Sequence, residues 1–226
     1  MAAKTRDLSR EVYTRLREAI LSSELLPGHK LSHQHLAKQL GVSHTPLREA
    51  FGKLSQEGYL RHVRNRGYFV SDFSRKEVED LLEIREALEV HALRRNVEAL
   101  DDTALRALRD CQDAYRRAVT RGTDTDRLRR DRAFHLTLAG ISGNRALAET
   151  LERVFDRINL KRRIDGLSPD RGVEALAEHQ ALLAALETRD LGRARSALKR
   201  HLKKNKENIL ERMREGPSAL RPVGTT

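Results

Sequence analysis

Residues 27–60 read PGHKLSHQHLAKQLGVSHTPLREAFGKLSQEGYL. Apolar residues at helical spacing predict a short helix that ends at the turn residue Gly41. Ser43 is placed as the N-cap of the next helix, and Pro46 falls in the first turn, where a missing N–H costs little. Gly58 closes that helix. The stretch therefore predicts two short helices joined by a tight turn, which is the outline of a helix-turn-helix.

The flanking sequence extends this outline on both sides. A preceding amphipathic helix is ended by Pro27-Gly28. After Gly58, the segments Tyr59–Val63 and Tyr68–Val70 alternate like short strands around Arg64-Asn65-Arg66-Gly67, a turn with Asn and Gly at suitable positions. Residues 1–73 therefore predict a winged helix-turn-helix domain with a small β-hairpin wing.

The remainder of the chain has a different pattern, because long helical periodicities replace the prolines, glycines and strands. The predicted helices cover about residues 75–99, 103–121, 124–140, 145–165, 171–188 and 191–213, with Pro169 among the interruptions. Six such helices make an all-α bundle large enough to hold a ligand. The prediction is a mainly α protein with a helical domain over 74–214 and a disordered tail over 215–226.

Composition excludes several classes of protein. The chain has 226 residues and a formal net charge of +11, with 38% hydrophobic and 34% charged residues. A single cysteine excludes an internal disulfide and a cysteine-rich zinc module. No apolar run approaches a membrane span or a signal peptide, so we expect a cytoplasmic protein without a membrane. The positive charge favours a polyanionic partner such as nucleic acid.

Basic residues gather around the predicted recognition helix and wing. His44, Thr45 and Arg48 stand where such a helix reaches base edges, and arginine is the commonest bidentate reader of guanine. The residues expected to position the phosphate backbone are Lys38, Lys53, Arg64, Arg66 and the wing glycine Gly67. On the pattern alone, such side chains are usually the solvated charges of an ordinary small domain.

The same stretch resembles the N-terminal signature of GntR-family bacterial transcription regulators. The matching residues, in order, are Pro27, Gly28, Leu31, Leu36, Ala37, Gly41, Val42, Ser43, Thr45, Pro46, Arg48, Glu49, Ala50, Leu54 and Gly58, followed by the wing glycine Gly67. The resemblance implies binding to double-stranded DNA. His44 departs from the arginine that the family commonly carries there, and His33-Gln34-His35 departs from its Glu or Arg, so the operator is expected to differ.

Histidines are the distinctive residues of the predicted bundle. Asp131 and His135 are four residues apart on one helix face, and His179 and His201 each share an apolar stripe on a later helix. Imidazole and carboxylate ligands suit zinc, nickel, manganese or iron. Each histidine can instead be a hydrogen-bonded core residue, and the Asp–His pair can be a helix-stabilising contact. Spacing alone does not show that they converge.

This half of the chain resembles the FCD effector domain of FadR-type GntR regulators. The resemblance lies in DLLEIREALEVHAL, DRAFHLTLAGISGN and EHQALLAALETRDLGRARSALKRHL. It implies a divalent metal ion, zinc in the first place, held by Asp131, His135, His179 and His201, with a small organic acid at the open positions. Arg85 lies in the Glu-Ile-Arg context near the family's ligand cavity, and Asn144 matches its Gly-Asn. For Arg85 the alternative is an internal ion pair, and for Asn144 a helix cap or turn.

We therefore expect a metabolite-responsive transcription regulator, a repressor by analogy with most of the family, and not an enzyme. A homodimer would place two recognition helices on a pseudo-palindromic operator. Two alternatives remain open. One is a metal-dependent enzyme with an appended DNA-binding module, although no HExxH or di-iron pattern is present. The other is a regulator whose metal is purely structural.

Overall fold

The computed structural model describes residues 2–22 and 24–215, and the chain divides between Phe73 and Ser74 into two compact units. The predicted disordered tail lies outside the described residues, apart from the last residue of the final helix. Among the described helices, none combines the length and the apolar character that crossing a membrane requires. Helices dominate the described chain, and the predicted mainly α class is confirmed.

The described part of the first unit consists of three helices and a three-stranded antiparallel sheet. Its elements are α1 (Ala2–Leu21), β1 (Lys30–Leu31), α2 (His33–Leu40), α3 (His44–Gln56), β2 (Leu60–Val63) and β3 (Gly67–Val70). The strand order is β1-β3-β2. Helix α2 ends at Gly41, whose φ of 66° is left-handed, so the chain turns sharply into α3. The predicted helix-turn-helix and wing are present.

The apolar faces of α1 and α3 form the core of this unit. Leu16 and Ile20 of α1 and Leu47 and Phe51 of α3 are all at most 3% exposed. Burying these side chains on one face of α3 leaves its opposite face in solvent. Ser43 occupies the N-cap position of α3 with an extended backbone, although its side chain makes no capping hydrogen bond.

The wing is a tight hairpin. Leu60 pairs with Val70 and Val63 with Gly67, and the turn between them places Asn65 at φ 60°. Asn tolerates this left-handed backbone, which is why the presence of Asn65 and Gly67 predicted a turn here. Strand β1, which pairs with β3, was not predicted because two residues are too few to show an alternation.

The second unit is a helical bundle, and its described residues form six helices. They are α4 (Arg75–Ala99), α5 (Asp102–Arg121), α6 (Asp124–Ile141), α7 (Arg145–Asp165), α8 (Pro169–Glu187) and α9 (Leu191–Glu215). Most begin at a side-chain cap, and α4 and α6 have full capping boxes. Treating Pro169 as an interruption was wrong. It lies in the first turn of α8, where its fixed φ suits a helix and no N–H is needed.

The bundle core is formed by leucines and one phenylalanine from five of these helices. Its fully buried members include Leu93, Leu108, Phe134, Leu138, Leu182, Leu186 and Leu198. His179 and His201 lie on the same stripes as the leucines of α8 and α9, so the packing that buries the leucines also carries both histidines inward.

Candidate functional site

Three helices bring one carboxylate and three imidazoles together inside the bundle. Helix α6 supplies Asp131 and His135, α8 supplies His179 and α9 supplies His201. One ligand atom from each lies within 4.8 Å of those of the other three. All four residues are at most 3% exposed. The structure therefore places together the four residues that the sequence singled out.

Two further carboxylates orient the imidazoles. Glu89 of α4 lies 2.5 Å from Nδ1 of His135, and Glu178 of α8 lies 2.8 Å from Nδ1 of His201. An ionised carboxylate only accepts hydrogen bonds, so each Nδ1 is the donor and each Nε2 carries a lone pair. Such carboxylate–histidine pairs fix the tautomer and raise the basicity of metal-binding histidines.

The electrostatics keep Glu89 ionised. Burial alone would raise the pKa of its carboxyl, but His135 and Arg85, which both hydrogen-bond to it, outweigh burial and lower that pKa to about 2. Burial likewise opposes ionisation of Asp131, yet His135, Arg162 and Arg85 hold its pKa well below its ordinary value. Both groups are therefore carboxylates at neutral pH.

His179 and His201 are held in the neutral form that binds a cation. Burial first, and then the neighbouring imidazoles, lower the pKa of His179 and of His201 well below the ordinary value. The ring of His179 stacks on Phe134 with their centroids 4.2 Å apart and an angle of 11° between the planes. This stacking fixes the orientation of an imidazole that has no orienting carboxylate.

A divalent cation fits this donor set. Nε2 of His135 and Nε2 of His201 lie 3.1 Å apart, and both carry lone pairs when each Nδ1–H is held by a carboxylate. Both nitrogens of the fully buried His179 lack a hydrogen-bond partner, which is costly unless another group satisfies them. Asp131 Oδ1 stands 3.6 Å from His179 Nε2 and 3.9 Å from His135 Nε2. Several unsatisfied acceptors thus converge on one point.

Arginines form the wall beside this cluster. Arg162 of α7 donates from Nη1 to Oδ2 of Asp131 over 3.4 Å, and Arg171 of α8 donates from Nη2 to Glu178 over 2.6 Å. Arg127 of α6 donates to the carbonyl of Ser168 and packs against Gly172. A Cβ at Gly172 would stand 2.7 Å from the Arg127 guanidinium, so a larger residue here would displace the end of that side chain.

The space between these side chains is nearly closed. A cavity of about 10 Å³ reaches Asp131 and is lined by Arg127, Arg162 and Arg171, with Tyr115 and Asn205 among its other walls. That volume is about what one water molecule needs. A bound organic acid therefore requires its lining side chains to move.

Arg85 lies within the bundle and is only 1% exposed. Its Nε donates to Glu89 over 2.6 Å and its guanidinium stacks on the ring of Phe155 at 4.3 Å. Nη1 and Nη2 have no hydrogen-bond partner. The internal ion pair that we considered is present, and it leaves two buried donors available to an anion.

Asn144 is the N-cap of α7, where its side chain accepts a hydrogen bond from the N–H of Leu147 over 3.1 Å. The helix cap given as the alternative for this residue is present, and a role in effector binding stays a prediction. No sequence pattern pointed to Glu178, Arg162 or Arg171, because each resembles a charge on a solvated helix face. Only a predicted contact between helices would have identified them.

The predicted DNA-contacting side chains are on the surface of the first unit. His44, Thr45 and Arg48 are exposed on the side of α3 opposite its buried leucines. Lys38, Lys53, Arg64 and Arg66 are also exposed. A helix that enters the major groove packs one face on the core of its domain and exposes the other face between basic residues, and α3 has this arrangement.

Two of these residues have local contacts. The ammonium of Lys53 lies 4.0 Å above the Tyr13 ring, and the Arg66 guanidinium lies 5.9 Å from the Phe69 ring. Gly67 has a φ of 96°, which closes the hairpin and is unfavourable for other residues. The backbone conformation of the hairpin therefore accounts for a glycine at position 67.

Comparison with known proteins finds two families along this chain. Residues 8–70 match the bacterial regulatory proteins of the gntR family, and residues 80–204 match the FCD domain. The two matches cover the winged unit and the helical bundle in turn. The candidate metal-ligand cluster, which consists of Asp131, His135, His179 and His201, lies entirely within the second match.

Individual relatives and structures agree with these matches. The chain is 31% identical to the Nta operon transcriptional regulator of Aminobacter aminovorans, over 86% of this chain and 90% of that protein. It is 27% identical to the transcriptional repressor RspR of Escherichia coli K12, over 91% and 90% of the two chains. The solved structure of E. coli McbR/YncC has 25% identity and a TM-score of 0.77, and it covers 91% of this chain and 98% of that one.

Proposed function

This chain belongs to the GntR family of bacterial regulatory proteins and carries an FCD domain, and on that basis we propose that it represses transcription until a small organic acid binds at a divalent metal ion in its bundle. The relatives and the similar folds are transcriptional regulators, which are not enzymes. The metal, the acid and the sign of the response are the new parts of the proposal. One relative, RspR, is named a repressor, which supports that sign.

The convergence of Asp131, His135, His179 and His201 carries the metal assignment. When bound, the ion would supply a fixed positive charge with open coordination positions. Three imidazole nitrogens and one carboxylate favour zinc, and they also accept nickel, manganese or iron. Glu89 and Glu178 would hold His135 and His201 in the correct tautomer for that role.

The charge balance of the site supports an anionic effector. Two buried carboxylates, Glu89 and Asp131, and the partly exposed Glu178 are paired with three buried guanidiniums, Arg85, Arg162 and Arg171. A divalent cation adds two positive charges without a protein counter-charge. Buried unpaired charge is costly, so a carboxylate ligand stabilises the loaded site. Unpaired Nη1 and Nη2 of Arg85 are suitable donors for it.

The winged unit would bind the operator. In this proposal Arg48 and Thr45 read base edges, His44 contributes a further donor, and the lysines and arginines around them position the phosphates. A homodimer would present two such helices to a pseudo-palindromic site. The acid changes operator affinity only as far as it binds two arrangements of the dimer differently.

Operator binding by the full-length protein, measured with and without metal and with a panel of organic acids, tests the proposal. We expect zinc to bind stoichiometrically to the wild type and not to a His179→Ala, His201→Ala double variant. At least one acid should weaken operator binding by the zinc-loaded wild type, and the same acid should have no effect on the double variant.

The alternatives predict different results. A purely structural metal predicts that chelation lowers thermal stability while no acid changes operator binding. Full zinc occupancy of the double variant would overturn the metal site. An acid that acts equally on the metal-free protein would overturn the role of the metal in effector binding.

A further inference from the structure

A groove runs along the surface of the bundle between α4 and α9. Its volume is about 800 Å³, and its walls include Glu83, Ala87 and Arg94 of α4 and Arg195 and Lys199 of α9. The groove lies away from the metal-ligand cluster, since none of the four ligands lines it. It is also far larger than the cavity beside Asp131.

Exposed apolar side chains accompany this groove. In the part of the chain that the structure describes, four large apolar residues are exposed by more than a third: Leu26, Ile84, Val173 and Leu191. Two of them belong here, because Leu191 lines the groove and Ile84 is next to Glu83 on the solvent side of α4. Exposed apolar groups beside a concave surface are typical of a protein interface.

The charges along α4 are arranged in two halves around Ala87. On the face that includes Ala87, Asp80 and Glu83 precede it, and His91 and Arg94 follow it. These five residues recur at intervals of three or four, so they form one line along the helix. All five are exposed. The line is acidic in its N-terminal half and basic in its C-terminal half.

We infer that this line on α4, with the groove beside it, is the surface through which two copies of the chain form a symmetric dimer. A second copy running antiparallel about Ala87 would place Asp80 opposite Arg94 and Glu83 opposite His91. The twofold symmetry repeats each pair, so two Asp80–Arg94 ion pairs form, together with two contacts in which the imidazole of His91 faces the carboxylate of Glu83. The small side chain of Ala87 at the centre lets the two helices approach closely.

The groove is complementary to the same partner. In the antiparallel register, the partner's acidic half of α4 lies along the basic half of this α4, beside Arg94, Arg195 and Lys199. The acidic side chains of each copy would thus lie against the basic end of the other copy's groove, which Arg94, Arg195 and Lys199 line. A chain of opposite charge pattern is required, and a second copy of this chain provides it.

The intrachain contacts of these residues are compatible with a dimer. Asp80 pairs with Lys76, and Glu83 lies 3.1 Å from Lys206. The acidic partners in these pairs are 50% and 65% exposed, so solvent screens both contacts and they can exchange. The helix dipole also favours acidic residues early and basic residues late in α4. The dipole does not account for the groove or for the exposed Ile84 and Leu191.

The inference rests on the homodimer of the proposed function, and a charge-exchange experiment separates the two. Full-length wild type, D80R, R94D and the D80R/R94D double variant are compared by sedimentation velocity over a wide range of protein concentration. Each single substitution puts like charges opposite each other twice, and we expect it to raise the dimer dissociation constant roughly a hundredfold. The double variant restores every pair and should dimerise like the wild type.

Mixing the two single variants is the most specific arm of the experiment. At positions 80 and 94, D80R carries only arginine and R94D carries only aspartate, so a mixture should form a heterodimer although each alone is monomeric. The control variants are D113R and R116D, which make the same changes in an exposed pair on α5. They should leave the dimer unchanged.

The oligomeric states of these variants test the interface, its antiparallel register and the homodimer separately. Dimeric wild type with monomeric single variants and a restored mixture supports the interface. Dimeric single variants overturn it and leave the homodimer itself standing. Failure of both the mixture and the double variant to dimerise overturns the antiparallel register. A wild type that is monomeric at every concentration overturns the homodimer as well and assigns the groove to a different partner.

Discussion

Replacing Glu89 by glutamine tests whether its buried negative charge supports the proposed metal centre. The substitution keeps the size of the side chain but removes the charge that accepts the Nδ1–H of His135 and pairs with Nε of Arg85. Loss of an orienting carboxylate typically lowers metal affinity 10- to 100-fold, which is about 1.4 to 2.7 kcal/mol. We expect the zinc dissociation constant of the variant to rise by that factor.

The same substitution leaves Arg85 as a buried charge without a counter-charge. Arg85 is only 1% exposed, and its two Nη atoms already lack partners. Breaking a buried ion pair from one side costs about 3 to 5 kcal/mol. We therefore expect E89Q to lower the free energy of unfolding of the metal-free protein by several kcal/mol, as measured by urea denaturation.

Glu178→Gln is the matched control. It removes the carboxylate behind His201, so its effect on zinc affinity, measured by competition with a chelator, should equal that of E89Q. Its effect on stability should be smaller, because Arg171 keeps its ion pair with Glu174. Zinc affinities equal to the wild type in both variants would refute the orienting role of the carboxylates. Equal losses of stability would refute the effect assigned to the unpaired Arg85.

Three further predictions concern other parts of the chain. Gly172→Ala should be less favourable than Gly140→Ala by about 1 kcal/mol of unfolding free energy, because the new Cβ displaces the Arg127 guanidinium from the Ser168 carbonyl, whereas a Cβ at Gly140 meets open space. Urea titration measures both values, and equal effects would contradict the close approach of Arg127. Arg48→Ala should abolish the operator footprint without changing the sedimentation coefficient of the free protein, and an unaltered footprint would contradict its place at the base edges. Arg64→Ala should weaken binding to all DNA sequences alike. It should also reduce the slope of log affinity against log salt by about 1 for each phosphate that the arginine neutralises in the wild type, which titration at several salt concentrations measures.

The inward placement of the four proposed metal ligands was predictable because each depends on a local pattern. Asp131 and His135 share a face through their spacing, and the leucine stripes of α8 and α9 show which way His179 and His201 point. The helix bounds were predictable for a related reason, since side-chain caps and glycines mark most of them. Local chemistry thus determines where each helix starts and which side it buries.

The surroundings of the ligands were not predictable in the same way. Glu178 orients His201, although it stands next to His179 in the sequence, and Arg162 reaches Asp131 from another helix. These interactions depend on how the helices cross, which no periodicity within one helix specifies. For a similar reason, the packing of His33 on the rings of Phe51 and Tyr68 could not be inferred from the short helix on which it lies.

The closed space beside Asp131 has a kinetic consequence. Since about 10 Å³ cannot hold an organic acid, the proposed effector would bind only in molecules whose arginine wall has opened. The apparent affinity is then the intrinsic affinity reduced by the fraction of open molecules. A change at Arg127 or Gly172 that favours opening would lower the acid concentration needed for induction without altering a single metal ligand. The threshold of the response can therefore be adjusted from the wall of the site.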